Sequence, residues 1–410
     1  MNHNKNIALA VALVLIAGAI WYLQANKQPS QQGNGQPIAL QGIPSNSSDA
    51  SSSPSSPSPT QPANPSNPKP SQQDRTAALK AKAAQYPSAV EIIPGPGPGS
   101  NGFVNSGPFT LKSLVGKKVI LVDFWTYSCI NCQRTIPYLS AWYEKYKDAG
   151  LVIVGVHTPE FDFEKEYANV AKGVKDLGVQ YPVVQDNNYA TWNAYSNLYW
   201  PHEYLIDIDG YVVHDKIGEG GYADTERAIQ AALTERAHVL GTGMAIPTDI
   251  AAPKNAVSMD SSKIASPETY FGASRNEYLA NGAAHSAGAQ TLSIPDSSAI
   301  QASSLYLGGS WKFDSEFAET SSATAKIVYK YEAKNVYFVA SSANGVRAKV
   351  LLDGQPISAV VAGKDVAADG TVLIRDNRLY NLVQGADYGS HTLELQVEGA
   401  GLDAFTFTFG

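Results

Sequence analysis

The sequence predicts an α/β fold with a mixed central sheet flanked by helices, followed by an all-β sandwich of jelly-roll type. The first part rests on apolar strand-like runs that alternate with helical stretches over residues 88–240, a pattern typical of layered α/β domains. The second part rests on short alternating runs bounded by turn dipeptides over residues 266–410, which is typical of antiparallel sandwiches. Residues 241–265 are predicted to link the two domains.

The individual elements follow from apolar runs and turn signals. Asp209-Gly210, between two strand-like runs, is a strong hairpin signal. In the first domain we predict strands at 118–125, 151–156, 181–185, 204–207 and 211–217, and helices at 130–148, 164–177, 189–195 and 222–235. In the second domain the alternating runs predict strands at 325–331, 335–339, 348–352, 372–374, 391–397 and 404–409.

The N-terminus predicts export. Ile7 to Leu23 is a continuous apolar run of about 17 residues preceded by Lys5, the lower limit for crossing a bilayer. Trp21 and Tyr22 stand at its end, where interfacial aromatics are expected. A cleaved signal peptide is the alternative, but its small-residue rule is poorly met. We therefore expect residues 1–6 in the cytoplasm, a single-pass anchor at 7–23 in the cell membrane, and extracytoplasmic folded domains.

Residues 28–75 are predicted to be a disordered tether, because they are rich in Ser, Pro, Gln and Asn and poor in apolar residues. The formal net charge of −7 and the 16% of charged residues argue against nucleic acid as a partner.

The only two cysteines, Cys129 and Cys132, follow an apolar strand and open a helix. A helix N-terminus stabilises a thiolate on the first cysteine, and the spacing lets the second thiol close a disulfide. A zinc site would need a second pair of ligands, and haem attachment would need His at the position of Gln133. The pair therefore predicts a dithiol redox centre without metal or cofactor.

Several motifs carry a family resemblance. Val122-Asp123-Phe124-Trp125, the cysteine pair and Pro137 resemble thioredoxin in spacing. The segment 109–117 and the insert between Thr158 and Leu177 resemble the TlpA/ResA and redoxin branch. The chain is most similar to the extracytoplasmic domain of DipZ-type proteins, which also have a C-terminal sandwich similar to carbohydrate-binding modules. The motifs that carry this similarity are 124–135, 157–161, Tyr199-Trp200-Pro201 and 218–222.

The resemblance implies a thioredoxin-like thiol-disulfide oxidoreductase and assigns roles residue by residue. Cys129 would be the nucleophile and Cys132 the resolving thiol. Asp123 would exchange a proton with the resolving thiol, although a structural carboxylate is the alternative. Pro201 would be the cis-proline facing the site, and the expected surroundings are Trp125, Tyr127, Ile130 and Asn131.

One acid of the family is missing from the sequence. Thr135 stands where ResA-type proteins carry a glutamate. Glu160 could supply a substitute acid, but a solvated loop glutamate is the simpler expectation. His157 is expected to be a packed histidine, and Glu219 borders the site without an assigned role.

The expected partners are disulfide-containing exported proteins, and the resemblance adds a CcdA/DsbD-like membrane reductase and cytochrome c biogenesis. Because Ile130 and Asn131 add no charge between the cysteines, we expect a reductant rather than an oxidant. Two alternatives stay open: a thiol peroxidase, and an envelope glycan- or protein-binding protein with a minor redox-sensing dithiol. For glycan contact the candidates are Trp311, Tyr306 and Tyr380, with core packing as the competing interpretation.

Overall fold

The computed structural model describes residues 69–95, 102–257 and 259–410. The predicted anchor at 7–23 and the predicted tether up to residue 68 lie outside these residues. Within the described ranges, no helix has the length and apolar character needed to cross a membrane. Residues 72–75, which we assigned to the tether, form the first turn of a helix that the sequence analysis did not predict.

The first domain contains a five-stranded sheet in the order β3-β2-β1-β4-β5. β1 is parallel to β2 and antiparallel to β4. The strands are β1 Val119–Trp125, β2 Leu151–His157, β3 Val183–Gln185, β4 His202–Ile206 and β5 Val212–Ile217. The helices are α1 Gln72–Gln85, α2 Leu111–Leu114, α3 Ile130–Tyr146, α4 Tyr167–Asp176, α5 Ala190–Ala194 and α6 Tyr222–Leu240, with a 3₁₀ turn at Asp162–Lys165.

β1 explains the position of the cysteines. All seven of its residues are buried, because helices cover both faces of the sheet, and this is why the strand is a continuous apolar run rather than an alternating one. The chain leaves the sheet after Trp125 and enters α3 at Ile130. The predicted α/β fold with a mixed sheet is confirmed.

The second domain is all β, as predicted. Its main path runs β12-β11-β14-β10-β15-β9-β8-β7, and its ladders are antiparallel. The predicted strands at 325–331 and 335–339 are one long strand, because a bulge near Ala333 bends it without breaking it. The strands are β6 Thr269–Tyr270, β7 Gly288–Leu292, β8 Leu305–Phe313, β9 Ala318–Thr320, β10 Thr324–Ser341, β11 Val346–Leu352, β12 Gln355–Pro356, β13 Thr371–Ile374, β14 Arg378–Glu398 and β15 Asp403–Phe409.

The three aromatic residues considered for stacking on a sugar are buried instead. Trp311 is completely buried and donates its indole N–H to the carbonyl of Gly308. Tyr380 is also buried, and its hydroxyl donates to the carbonyl of Asp376. Tyr306 is 5% exposed. The core-packing interpretation therefore holds for these residues, and the sugar-stacking interpretation does not, because their rings belong to the interior of the sandwich.

The two domains pack against each other through a small apolar cluster. It contains two groups of buried side chains, Ile130 and Phe161 from the first domain and Tyr337, Val339, Leu379 and Phe405 from the sandwich. The ring of Phe405 lies 5.1 Å from that of Phe161 and 4.8 Å from that of Phe163. Because Ile130 stands between the two cysteines, the sandwich is held directly beside the dithiol.

Candidate active site

The two cysteines have unequal environments. Cys129 is the N-cap of α3, and its Sγ accepts the backbone N–H of Cys132 at 3.5 Å. Cys129 is half-buried, whereas Cys132 is 1% exposed. Burial is the main reason that the pKa of the Cys132 thiol is raised, and Cys129 and Asp123 raise it further. The geometry thus provides one accessible thiol at a helix N-terminus and one shielded thiol behind it.

Asp123 lies in β1 below the dithiol. It is 1% exposed, and its Oδ1 has no hydrogen-bond partner among the described residues. Burial, and then the charge of Glu203, raise the pKa of the Asp123 carboxyl well above its usual range. A carboxyl with this environment can hold or release a proton at the pH where the enzyme would work.

Glu203 is an acidic residue that the sequence analysis missed. It is paired with Asp123 across the β1–β4 ladder and is 2% exposed. Burial raises the pKa of Glu203 to about 8, against the opposing influence of Lys216 and Thr225. The sequence contained one indication of a role for Glu203, which is an acidic residue inside a strand-forming segment. The same pattern had identified Asp123.

A second missed acid, Glu164, organises the loop before the nucleophile. The hydroxyl of Ser128 donates to Glu164 Oε1 at 2.5 Å. Glu164 Oε2 accepts the backbone N–H groups of Glu160 at 2.6 Å and Phe161 at 3.1 Å. The side chain is completely buried, and burial raises its pKa to about 7. Glu164 therefore fixes the residue preceding Cys129 to the insert that carries Glu160.

The predicted aromatic surroundings are packed around His157. The ring of Trp125 lies 5.3 Å from the His157 imidazole, and Tyr127 stacks on its other side at 5.6 Å. His157 is completely buried, and burial lowers its pKa to about 3. It is thus a packed, neutral histidine, as expected. The hydroxyl of Tyr127 donates to the carbonyl of Asn377, which connects the active-site loop to the sandwich.

Pro201 directly precedes β4, the strand that pairs with β1. The Trp200–Pro201 peptide bond is cis, as the resemblance implies. The indole N–H of Trp200 donates to the carbonyl of Thr158 at 3.1 Å. The preceding residues Leu198 and Tyr199 are 71% and 47% exposed, so large apolar surface adjoins the site.

The residues between the cysteines have different contacts. Ile130 packs into the domain interface, whereas the Asn131 side-chain oxygen accepts Arg134 Nη2 at 2.7 Å. Arg134 also forms a bidentate pair with Glu219, at 2.8 and 2.7 Å. Glu219, which had no assigned role, therefore balances the cation nearest to the cysteines.

Glu160 is not the solvated loop glutamate that we expected. Its Oε1 accepts Arg275 Nη1 at 2.8 Å and the Tyr270 hydroxyl at 2.7 Å, and its side chain is only 11% exposed. The Arg275 guanidinium lies 3.7 Å from the centre of the Tyr270 ring. Because Tyr270 and Arg275 come from the sandwich, the partner of Glu160 was invisible to local sequence reasoning. Glu160 joins the domains at the edge of the site.

A cleft of about 490 Å³ opens above Cys129. One side is formed by the dithiol loop and by Leu198 to Trp200, and the other by the sandwich and the segment before it. Its lining includes Cys129, Asn131, Glu160, Glu219, Tyr199, Ile264, Tyr270, Arg275 and Phe409. A disulfide that reaches Cys129 must therefore enter between the two domains.

Two family models match the chain. Residues 101–215 match the AhpC/TSA family, and residues 266–410 match the family described as the thioredoxin-like C-terminal domain. The two matches, together with the fold, show a thioredoxin-like AhpC/TSA domain followed by a thioredoxin-like C-terminal domain.

The particular relatives refine this assignment. Protein DipZ of Mycobacterium bovis and of Mycobacterium tuberculosis is 40% identical over 317 residues, which cover 76% of this chain and 42% of each relative. ResA of Bacillus thuringiensis, named a thiol-disulfide oxidoreductase, is 36% identical over 27% of this chain and 60% of its own length. YkuV of Bacillus subtilis, with the same designation, is 28% identical over 33% of this chain and 91% of its own. The chain is similar to DipZ and spans less than half of its length.

Proposed function

We propose that this chain is a membrane-tethered, extracytoplasmic thiol-disulfide oxidoreductase that reduces disulfides in exported proteins. The observation that carries the proposal is the asymmetry of the two thiols. Cys129 caps α3 and opens onto the cleft, while Cys132 is shielded behind it. This arrangement suits a nucleophile that attacks a substrate and a resolving thiol that releases it.

The reaction would proceed in two exchanges. The Cys129 thiolate attacks a substrate disulfide, forms a mixed disulfide and releases one substrate thiolate, which takes up a proton from water. Cys132 then loses its proton to the carboxyl beneath it, and its thiolate attacks Sγ of Cys129. The second substrate thiolate leaves and is protonated. The substrate gains two electrons and two protons, and the dithiol becomes a disulfide.

The charges near the dithiol favour electron flow from the protein to its substrate. A strong oxidant needs a heavily stabilised thiolate on the nucleophile. Here the nearest cation, Arg134, is engaged by Glu219, and Ile130 is apolar. We therefore assign a potential nearer thioredoxin's value of about −270 mV than DsbA's value of about −120 mV. In glutathione buffers the soluble fragment should be oxidised at mildly oxidising ratios. A dithiol that stays reduced there would make the protein an oxidase or isomerase.

Activity and trapping test the proposal directly. The soluble fragment should reduce insulin with dithiothreitol as the electron source. Cys132→Ser should accumulate mixed disulfides with oxidised envelope proteins, because the trapped substrate cannot be resolved. Cys129→Ser is the matched control and should trap none. Absence of both insulin reduction and trapped adducts would contradict the assigned function.

The tether and the electron donor belong to the same proposal. The apolar run at 7–23 would anchor the chain, and residues 28–75 would hold the folded domains away from the membrane. A CcdA/DsbD-like membrane reductase would return electrons to the dithiol, and cytochrome c biogenesis is one process that would use them. Retention of the full-length protein in alkaline-washed membranes, with release after deletion of residues 7–23, is the expected result.

The alternatives receive less support from the site. A peroxidase would need an arginine free to hold the peroxide, and Arg134 is paired with Glu219. A glycan-binding role would need exposed aromatic rings on the sandwich, and the three rings considered for it are buried.

A further inference from the structure

Two carboxyl groups face each other beneath the resolving thiol. In the antiparallel β1–β4 ladder, Asp123 is directly opposite Glu203. Side chains of directly opposite residues project from the same face of a sheet, with Cβ atoms about 4.5–5.5 Å apart. Both side chains are at most 2% exposed. Two ionised carboxylates at this distance and without water repel each other strongly, so one proton between them is the favoured state.

The polar atoms around the pair support this protonation state. Asp123 Oδ1 and Glu203 Oε2 both lack a hydrogen-bond partner among the described residues, as do Trp125 Nε1 and Tyr181 Oη nearby. Buried polar atoms are rarely left unpaired in native proteins. Each carboxyl thus has an oxygen with no donor to stabilise a negative charge, which favours keeping a proton on the pair.

No cation neutralises Asp123 from the neighbouring strand. Its partner on β2 is Gly155, where a Cβ would lie 2.7 Å from the Trp125 indole nitrogen, so that position has no room for a side chain. The groups that act on the Asp123 and Glu203 charges are Cys132 above, Tyr181 and Tyr222 beside them, and Lys216, which acts on Glu203. The negative charge of the two carboxyl groups can therefore be neutralised chiefly by binding protons.

Glu203 also has a route toward solvent. The Thr225 side chain lies beside Glu203 and lowers its pKa. The Thr225 hydroxyl lies 3.2 Å from Nε2 of His214, which is half-buried. Asp123 has no such chain of polar side chains of its own. A proton that reaches the pair can leave through Glu203, Thr225 and His214.

We infer that Asp123 and Glu203 act as one proton-sharing pair, which takes the proton of Cys132 and passes it outward through Glu203. This inference rests on the proposed oxidoreductase function. In the resolving step the S–H bond of Cys132 breaks and an O–H bond forms on Asp123, and the thiolate attacks Sγ of Cys129. In the molecules that react, the one proton of the pair is on Glu203; it leaves along the Thr225 route, and Glu203 then accepts the proton from Asp123. In the other molecules that proton is on Asp123 and Glu203 is ionised, which is why the neighbour raises the pKa of Asp123. Glu203 is thus a positioning residue that acts through Asp123.

The test is a pH profile of the resolving step in Glu203→Gln. Removing the acidic neighbour lowers the pKa of Asp123, so the rise of the rate with pH should move to lower pH by about one unit or more, the size expected for coupled sites. In the Asp123→Asn background the same substitution should leave the profile unchanged, because the group that it acts on is gone. Glu226→Gln is the control, since Glu226 is equally buried but pairs with Lys145.

Each outcome has a defined meaning. An unchanged profile in Glu203→Gln, or an effect that persists in the Asp123→Asn background, would overturn the inference while leaving the oxidoreductase function intact. A wild type without disulfide exchange would instead refute the proposed function. If Glu203→Gln does not fold, the wild-type protein can be used instead. Titration of its carboxyl groups, followed by infrared spectroscopy or ¹³C NMR, shows whether Asp123 and Glu203 titrate as a coupled pair. Two coupled steps support the pair, and independent titrations overturn it.

Discussion

Asp123 is costly to bury in a strand whose other residues are apolar. It has no ion-pair partner, and its nearest charged neighbour is another acid. Burial of an unpaired polar group destabilises the fold, so stability alone does not explain this residue. Its position below Cys132 supplies a functional reason, because a buried acid with a raised pKa can take the proton of a shielded thiol.

Asp123→Asn should therefore lower the rate of thiol-disulfide exchange without lowering the stability of the fold. We expect thiol-disulfide exchange at neutral pH to slow by about 100-fold, the lower end of what general acid–base groups contribute. The fold should be intact and more stable above pH 7, where the wild-type carboxylate would be ionised and poorly solvated. Stopped-flow exchange between about pH 6 and 9 and thermal unfolding measure the two effects. An unchanged rate would reduce Asp123 to a structural residue.

Some residues of the candidate site could be predicted from the sequence alone, and others could not. The cysteine pair, Asp123 and Pro201 were found because each belongs to a short local motif. Glu203 was missed because its importance depends on the register of β4 against β1, which no local pattern encodes. Glu160 was misjudged because its partner, Arg275, lies 115 residues away in the other domain.

At the scale of elements, α1 is held to the first domain by charge. Its Lys82 ammonium lies 2.8 Å from Asp209 and also contacts Asp207 and Glu235, and both aspartates are nearly buried. These three acids are the group of described residues with a geometry that could hold a metal ion. Because the ammonium already lies among them, we interpret the cluster as an ion-pair network. The polar composition of α1 hid this helix from the sequence analysis.

Lys82→Ala should consequently destabilise the first domain by about 3–5 kcal/mol, the usual effect of removing one partner from a buried ion pair. Asp207 would then remain buried without a cation, whereas Asp209 would keep its ion pair with Arg75. Lys80→Ala on the exposed face of the same helix is the control and should change stability by less than about 0.5 kcal/mol. Urea unfolding of both variants measures the difference. Equal, small effects would show that α1 contributes little to the fold.

At the scale of the whole molecule, the sandwich forms one wall of the active-site cleft. The apolar contact of Phe405 with Phe161 and Phe163, the ion pair of Glu160 with Arg275, and the Tyr127 hydrogen bond all cross the same boundary. The sequence predicted both domains but not this contact, because the interface residues are apolar side chains that could equally belong to either core. The docked sandwich thus lines the cleft onto which Cys129 opens.

Phe405→Ala should loosen this docking. We expect a loss of about 3–5 kcal/mol, as for other buried phenylalanines, together with faster alkylation of reduced Cys129 by a bulky maleimide. Phe313→Ala in the sandwich interior is the matched control, since Phe313 is equally buried but outside the interface cluster. It should lose similar stability without faster alkylation. Equal alkylation rates in the two variants would contradict the gating role of the interface.

The buried acids also determine how the stability of the whole molecule depends on pH. Burial raises the pKa of Glu164 to about 7 and that of Glu203 to about 8, and that of Asp123 is raised as well. Above about pH 4.5 the folded state still holds protons that the unfolded chain, with carboxyl pKa values near about 4, has lost. Stability must therefore fall as pH rises through the folded pKa values.

Between about pH 3 and 6.5 the buried His157 has the opposite effect, because its pKa is about 3 in the folded state and the unfolded chain gains the proton first. One histidine offsets only one of the three acids, so we expect stability to fall throughout the range from about pH 5.5 to 8. Between about pH 6.5 and 8 the loss from Glu164 and Glu203 together should be at least roughly 2 kcal/mol, from about 1.4 kcal/mol per unit of pKa shift. Glu203→Gln should flatten this decline by removing one of the buried acids, whose pKa is about 8. Denaturant unfolding across pH 5.5 to 8 measures both curves, and a wild-type stability that rises toward pH 8 would show that these acids are not protonated in the fold.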